Sequence, residues 1–147
     1  MFRTSSILTC AALVLSLGAA LTGPAAAQAQ AVTVNIPFDF SANDQMVPAG
    51  RYRISLQAPR YLSFVDTQST KKQYLMSVQP AGEQNSKDGG RLIFRQYGDS
   101  NYLYQVWMPG QGAGRQFGRS RAEQETLRGL RSPALTQVQL PLGPTGH

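Results

Sequence analysis

The sequence predicts an all-β, mainly antiparallel domain of six or seven strands, arranged as a sandwich or a partly closed barrel, with one short helix near the C-terminus. Three observations point there. Apolar residues recur with a period of two along most of the chain beyond residue 31, the period at which strand side chains share a face. Clusters of Gly, Pro, Asn and Asp separate these runs at the spacing of sandwich and barrel strands. Only one stretch departs from the pattern: Ser120-Arg121-Ala122-Glu123 is a capping-box start, which opens a helix.

In order along the chain, Val32, Val34, Ile36, Phe38 and Phe40 alternate with polar positions and read as one half-buried strand. Pro37 cannot donate to a ladder, so this strand belongs at an edge or carries a bulge. Ser41 to Gly50 reads as a connection that ends in the turn Pro48-Ala49-Gly50. Tyr52, Ile54 and Leu56 then face inward while Arg51, Arg53 and Ser55 face outward. Pro59-Arg60 turns the chain into a short strand over Tyr61 to Val65. After a polar turn, Gln73 to Val78 is a further strand with Tyr74, Met76 and Val78 on one face. Gln79 to Gly90 reads as a long polar loop.

Arg91 to Tyr97 and Tyr102 to Met108 flank Gly98-Asp99-Ser100-Asn101, the pattern of a hairpin. Strict alternation puts Tyr102, Tyr104, Val106 and Met108 on one face, with Leu103 and Trp107 on the other. A strand apolar on both faces needs cover on both, and the next element can supply it. Pro109 to Gly118 reads as a glycine-rich crossing. The helix runs from about Arg121 to Arg131, presents Ala122, Leu127 and Leu130, and stops at Pro133. Ala134 to Leu142 is either a last strand or a docked tail, and residues 143–147 are expected to fray.

The N-terminal residues set the expected location. Arg3 precedes an apolar run from Ile7 to Leu21, Gly23-Pro24 breaks it, and Ala25-Ala26-Ala27 offers an A-x-A site. This is the three-part pattern of a cleavable secretory signal over residues 1–27, with Ala27-Gln28-Ala29 as a second possible site. The apolar run is about 15 residues, short of the roughly 20 that a spanning helix needs. Cys10, the single cysteine, lies inside that run, with too little hydrophobic sequence before it for lipoprotein processing. The mature chain is then one β-rich domain over 28–142 without thiol or disulfide, secreted or periplasmic and with no membrane span. Cleavage removes one cation, Arg3, leaving thirteen Lys and Arg against eight Asp and Glu. That balance favours anionic neighbours.

Ile36-Pro37-Phe38-Asp39-Phe40, followed by Val47-Pro48-Ala49-Gly50-x-Tyr52-x-Ile54, resembles the opening signature of a family of small secreted bacterial β-rich proteins. Leu92-Ile93-Phe94-x-x-Tyr97-Gly98-Asp99, Tyr102-Leu103-x-x-Val106-Trp107, Gly114-Arg115, Ser120 and Glu123 are similar to its second half. The resemblance covers roughly residues 32 to 127. It implies a small exported β-domain and brings no activity with it.

The chemistry available is narrow. His147, the single histidine, is the last residue, so no Ser-His-Asp or Cys-His nucleophile is expected, nor a zinc site. Asn85-Ser86-Lys87-Asp88-Gly89 is too sparse for calcium. Gly110-Gln111-Gly112-Ala113-Gly114-Arg115 lacks phosphate-loop spacing. Every acid has a structural explanation in a turn, on a strand's polar face or in the helix's first turns. No catalytic residue, metal or cofactor is therefore expected.

The sharpest candidate is basic: Arg115, Arg119, Ser120 and Arg121 lead into the helix N-terminus and form a candidate anion site. Against it, these arginines can be solvated or can pair with Glu123 and Glu125. Arg51, Arg53, Arg91 and Arg95 would form a second basic face if their strands were neighbours. The functional expectation is an exported, non-catalytic binding or interaction module of the cell envelope, for an anionic polymer or polysaccharide. The alternatives are a small carboxylate-dependent hydrolase of glycosidase type, which needs two acids across a cleft, and a structural envelope subunit. Nucleic acid is the weaker partner, since an exported protein seldom meets it.

Overall fold

A computed structural model describes residues 30–69, 71–84, 89–132 and 134–143. The signal segment with Cys10, Pro133 as the helix stop, the calcium-like stretch over 85–88 and the tail with His147 lie outside the described residues.

Two β-sheets stack face to face. The smaller is antiparallel and contains β1 (Ala31–Ile36), β4 (Gly50–Ala58), β5 (Tyr61–Asp66) and β6 (Gln73–Ser77), in that spatial order. The larger runs in the order β11 (Thr136–Leu142), β8 (Gly90–Tyr97), β9 (Ser100–Trp107), β10 (Ala113–Gln116), β7 (Gln79–Glu83). A short hairpin, β2 (Phe40–Ala42) with β3 (Gln45–Val47), joins it where Ser41 pairs with Tyr102 in parallel. No barrel closes, so the sandwich alternative holds. The strands are shorter and more numerous than the six or seven expected.

The facing side chains form one core. Val32, Val34, Ile36, Tyr52, Ile54, Leu62, Phe64 and Met76 come from the smaller sheet, and Leu92, Phe94, Leu103, Val106 and Leu142 from the larger. Phe40 sits between the layers. Its ring meets Phe94 at 5.3 Å, Phe64 at 6.2 Å and Tyr52 at 6.4 Å between centroids.

Pro37 divides the first apolar run into two elements. β1 ends at Ile36 on the edge of the smaller sheet, which is where a missing N–H does no harm. The chain then crosses to the other sheet, with Phe38 packed edge-on against Phe94 at 5.0 Å. The expected single strand through Phe40 is thus two strands in two layers. The expected connection from Ser41 to Gly50 also contains structure. Asn43 and Asp44 adopt left-handed φ of 47° and 61°, the backbone of a type I′ hairpin turn that these residue types tolerate.

Two polar segments expected as loops are strands. Gln79 to Glu83 pairs with β10, and β10 itself pairs with the end of β9. Within the glycine-rich crossing, Gly114 is held against Trp107. A Cβ there would lie 2.7 Å from three atoms of that indole, which is only 6 % exposed. Glycine here permits close packing rather than flexibility.

The β8–β9 hairpin forms as expected, with Gly98 at φ 58°. A bulge then shifts the register: Ile93 opposes Gln105 while Phe94 opposes Leu103, so Tyr104 is the extra residue. Leu103 therefore shares the core face with Val106 and Met108, while Tyr102 and Tyr104 turn to the opposite face. This corrects the strict alternation.

That opposite face is covered by α1 (Arg121–Gly129). The helix docks through polar groups rather than through its leucines: Leu127 is half-buried, Leu130 is exposed and Glu123 is the buried side chain. Glu123 Oε1 accepts from Arg95 at 2.7 Å and from the Tyr97 hydroxyl at 3.0 Å. The Tyr102 hydroxyl lies 2.6 Å from Thr126 Oγ1. Arg95 is thus a buried partner stacked 3.9 Å over Tyr104, not an outward charge. Arg51 and Arg53 lie on β4 in the other sheet, so the condition for a four-arginine face, neighbouring strands, is not met.

Tyr52 enters the core directly after the Pro48-Ala49-Gly50 turn, and its hydroxyl donates to the Pro48 carbonyl at 2.6 Å. Burial, reinforced by Tyr74, Asp66 and Asp39, raises its pKa from 10.0 to about 12. The unfolded chain loses this proton first, so stability is complete below pH 10 and declines as pH rises from 10 to about 12. Urea denaturation followed by circular dichroism at a series of pH values should show stability falling across that window. Tyr52→Phe should flatten part of it; the remainder belongs to Tyr97, raised by burial and by its bond to Glu123.

Candidate basic groove

Four chain segments distant in sequence meet where the chain passes between the sheets. Val78 alone separates β6 from β7, and its N–H donates to the Arg60 carbonyl at 2.8 Å. The β4–β5 turn carrying Arg60 therefore sits beside this passage. The tip of the β2–β3 hairpin is tied to the same place, because Asn43 Nδ2 donates to the Ser77 carbonyl at 2.7 Å and lies 3.2 Å from its hydroxyl. The fourth segment leads from β10 into α1 and brings Arg119, Ser120 and Arg121.

Between these segments lies an open groove of about 1030 Å³. Its charged lining is Arg60, Arg119, Arg121 and Asp44, and its neutral lining includes Asn43, Tyr61, Gln79 and Gln116. All three arginines are exposed. Arginine forks can bind a carboxylate, sulfate or phosphate through two parallel hydrogen bonds. Asp44, the one acid in the lining, is engaged: its Oδ1 accepts the Ala122 N–H at 3.0 Å.

The helix N-terminus itself is occupied by the protein's own groups. Ser120 Oγ accepts from the Glu123 N–H at 3.2 Å, which is half of a capping box. Glu123 does not complete the box by reaching back, because its carboxylate is held by Arg95 and Tyr97. With Asp44 on Ala122 and Ser120 on Glu123, cationic side chains rather than the helix end supply the groove's attraction for anions.

Of the sequence candidates, Arg119, Ser120 and Arg121 come together in this groove. Arg115 does not line it. Its Nε donates to the Pro59 carbonyl at 3.1 Å and a terminal nitrogen donates to the Gly114 carbonyl at 3.0 Å. Arg115 instead fastens the β4–β5 turn to β10, and so positions the wall that carries Arg60 and Tyr61. Sequence reasoning did not place those two residues beside the arginine cluster. Arg60 lies in a turn and Tyr61 begins a strand, so each has a local explanation that hides its place in the groove.

The acids are otherwise engaged or scattered. Asp39 accepts the Ala49 N–H at 2.7 Å and Asp66 accepts the Gln68 N–H at 2.9 Å. Asp99 is in the β8–β9 turn and Glu83 ends β7. A second, smaller groove of about 630 Å³, lined by Thr33, Asn35, Gly50, Arg51, Thr67 and Gln68, contains no acid. Among the described residues no three His, Cys, Asp or Glu side chains are grouped so as to hold a metal ion. Among them, too, no helix is long and apolar enough to cross a membrane. Comparison of the chain with family models, with curated proteins and with solved structures gave no match.

Proposed function

We propose that this protein is an exported, non-catalytic binding module of the cell envelope that holds an anionic ligand in the groove between Arg60, Arg119 and Arg121. One observation carries the reading: three exposed arginines from two distant segments converge on one groove whose single acid already caps a helix. The basic balance of the chain adds attraction at longer range. The N-terminal signal pattern and the resemblance to small secreted bacterial proteins support export. A glycosidase-like hydrolase finds less support, since such chemistry uses two acids across one cavity and the groove is lined by one.

Salt elution from immobilised heparin tests the proposal. The variant Arg60→Ala/Arg119→Ala/Arg121→Ala should bind roughly tenfold or more weakly than the parent, each exposed pair contributing up to about 1 kcal/mol. Replacing Arg51 and Arg53, which lie on a different sheet face, should have a smaller effect. Equal elution of parent and triple variant would defeat the reading.

A further inference from the structure

Charge alone would suit any anion, but the rest of the groove is more selective. Tyr61 is 47 % exposed and stands in the groove wall. Arg115 holds the turn that carries it, through the Pro59 carbonyl, so the ring is presented from an anchored position. Asn43, Gln79 and Gln116, which carry side-chain amides, line the same groove. Asn43 is itself fixed by its bonds to Ser77. Amides both donate and accept, as a hydroxyl-rich ligand requires. An exposed tyrosine offers a flat apolar surface with a polar tip. Arginine forks match planar carboxylates.

We infer that the groove's ligand is an acidic polysaccharide of the polyuronate type. The apolar C–H face of a pyranose ring lies on Tyr61, its hydroxyls meet Asn43, Gln79 and Gln116, and its carboxylates pair with Arg60, Arg119 and Arg121. This inference rests on the anion-groove reading and gives it a ligand class. A simple polyphosphate would leave the tyrosine and the three amides without a purpose. A single-stranded nucleic acid is bound on successive aromatic platforms, whereas this groove presents one.

Isothermal titration of the purified protein against four polymers tests the inference: polygalacturonate, polyphosphate, neutral dextran and single-stranded DNA. Polygalacturonate should bind most tightly and dextran least. Tyr61→Ala should weaken polygalacturonate roughly tenfold, as expected for losing one aromatic contact, and should leave polyphosphate unchanged. Tyr61→Leu keeps the bulk without the ring and should behave like Tyr61→Ala; Tyr61→Phe should retain binding. Unchanged thermal midpoints establish that each variant is folded, and the leucine variant serves if the alanine variant is not. Equal, arginine-dependent binding of polygalacturonate and polyphosphate, with no effect of Tyr61, would overturn the polysaccharide inference and leave the anion groove standing. Tighter, Tyr61-dependent binding of DNA would also overturn it. No arginine-dependent binding of any polyanion would overturn both.

Discussion

Replacing Glu123 with alanine is expected to destabilise the protein by about 3–5 kcal/mol, the usual cost of removing one member of a buried ion pair. The carboxylate is 2.7 Å from Arg95 and both side chains are nearly enclosed. Truncation leaves the Arg95 guanidinium buried over Tyr104 without a counter-charge, and takes the acceptor from the Tyr97 hydroxyl. It also removes one of the contacts that hold α1 on the larger sheet, leaving the one between Tyr102 and Thr126. Glu123→Gln should cost less, because an amide oxygen can still accept from both donors. Urea denaturation read by tryptophan fluorescence checks the expectation, since Trp107 lies on the same strand as Tyr104. An apolar replacement of both partners, Arg95→Met with Glu123→Leu, should recover most of the loss. A Glu123→Ala change of less than about 1 kcal/mol would mean that water reaches the pair and that it does not hold the helix.

Phe40→Ala should produce a loss of similar size, about 3–5 kcal/mol, through a different mechanism. Phe40 is 1 % exposed and touches aromatic rings from both sheets. Removing it deletes apolar contact and leaves a cavity between layers whose backbones are fixed by their ladders. Phe40→Leu should cost about half as much or less, because more of the space stays filled. Thermal unfolding by calorimetry would show the alanine variant with the lower midpoint and a reduced enthalpy. A small change would mean that the two sheets close over the space without their central ring.

Much of the fold was legible in the sequence wherever local pattern and tertiary packing agree. The β8–β9 hairpin, β4 with its inward Tyr52 and Ile54, the edge position of β1 and the Ser120 cap all follow from residues near one another in the chain. Legibility failed where a partner strand imposes the conformation. Gln79-Pro80-Ala81-Gly82-Glu83 has neither alternation nor strand-forming residues, yet it is a strand because β10 supplies the hydrogen bonds. The Tyr104 bulge inverts the faces of β9 without any glycine or proline to announce it. Glu123 read as a helix-start acid, and its burial depends on Arg95, twenty-eight residues earlier in the chain.

The candidate groove was half legible for the same reason. Arg119, Ser120 and Arg121 are contiguous and could be marked out together. Arg60 and Tyr61 reach them only through the β6–β7 passage and the bond from Val78 to the Arg60 carbonyl. Arg115 was marked for its charge. Its role is to hold Pro59, which only the folded arrangement reveals.

The placement of β11 bears on how the molecule is made. This final strand closes one flank of the larger sheet against β8, lies next to β1 from the opposite end of the chain, and seats Leu142 in the interior. Synthesis proceeds from the N-terminus, so Leu92 and Phe94 wait beside an open flank until β11 has emerged. Contacts this remote in sequence slow folding. The larger sheet therefore stays unfinished until this strand docks, and the apolar residues it pairs with remain open to water, or to another strand's edge, for that time.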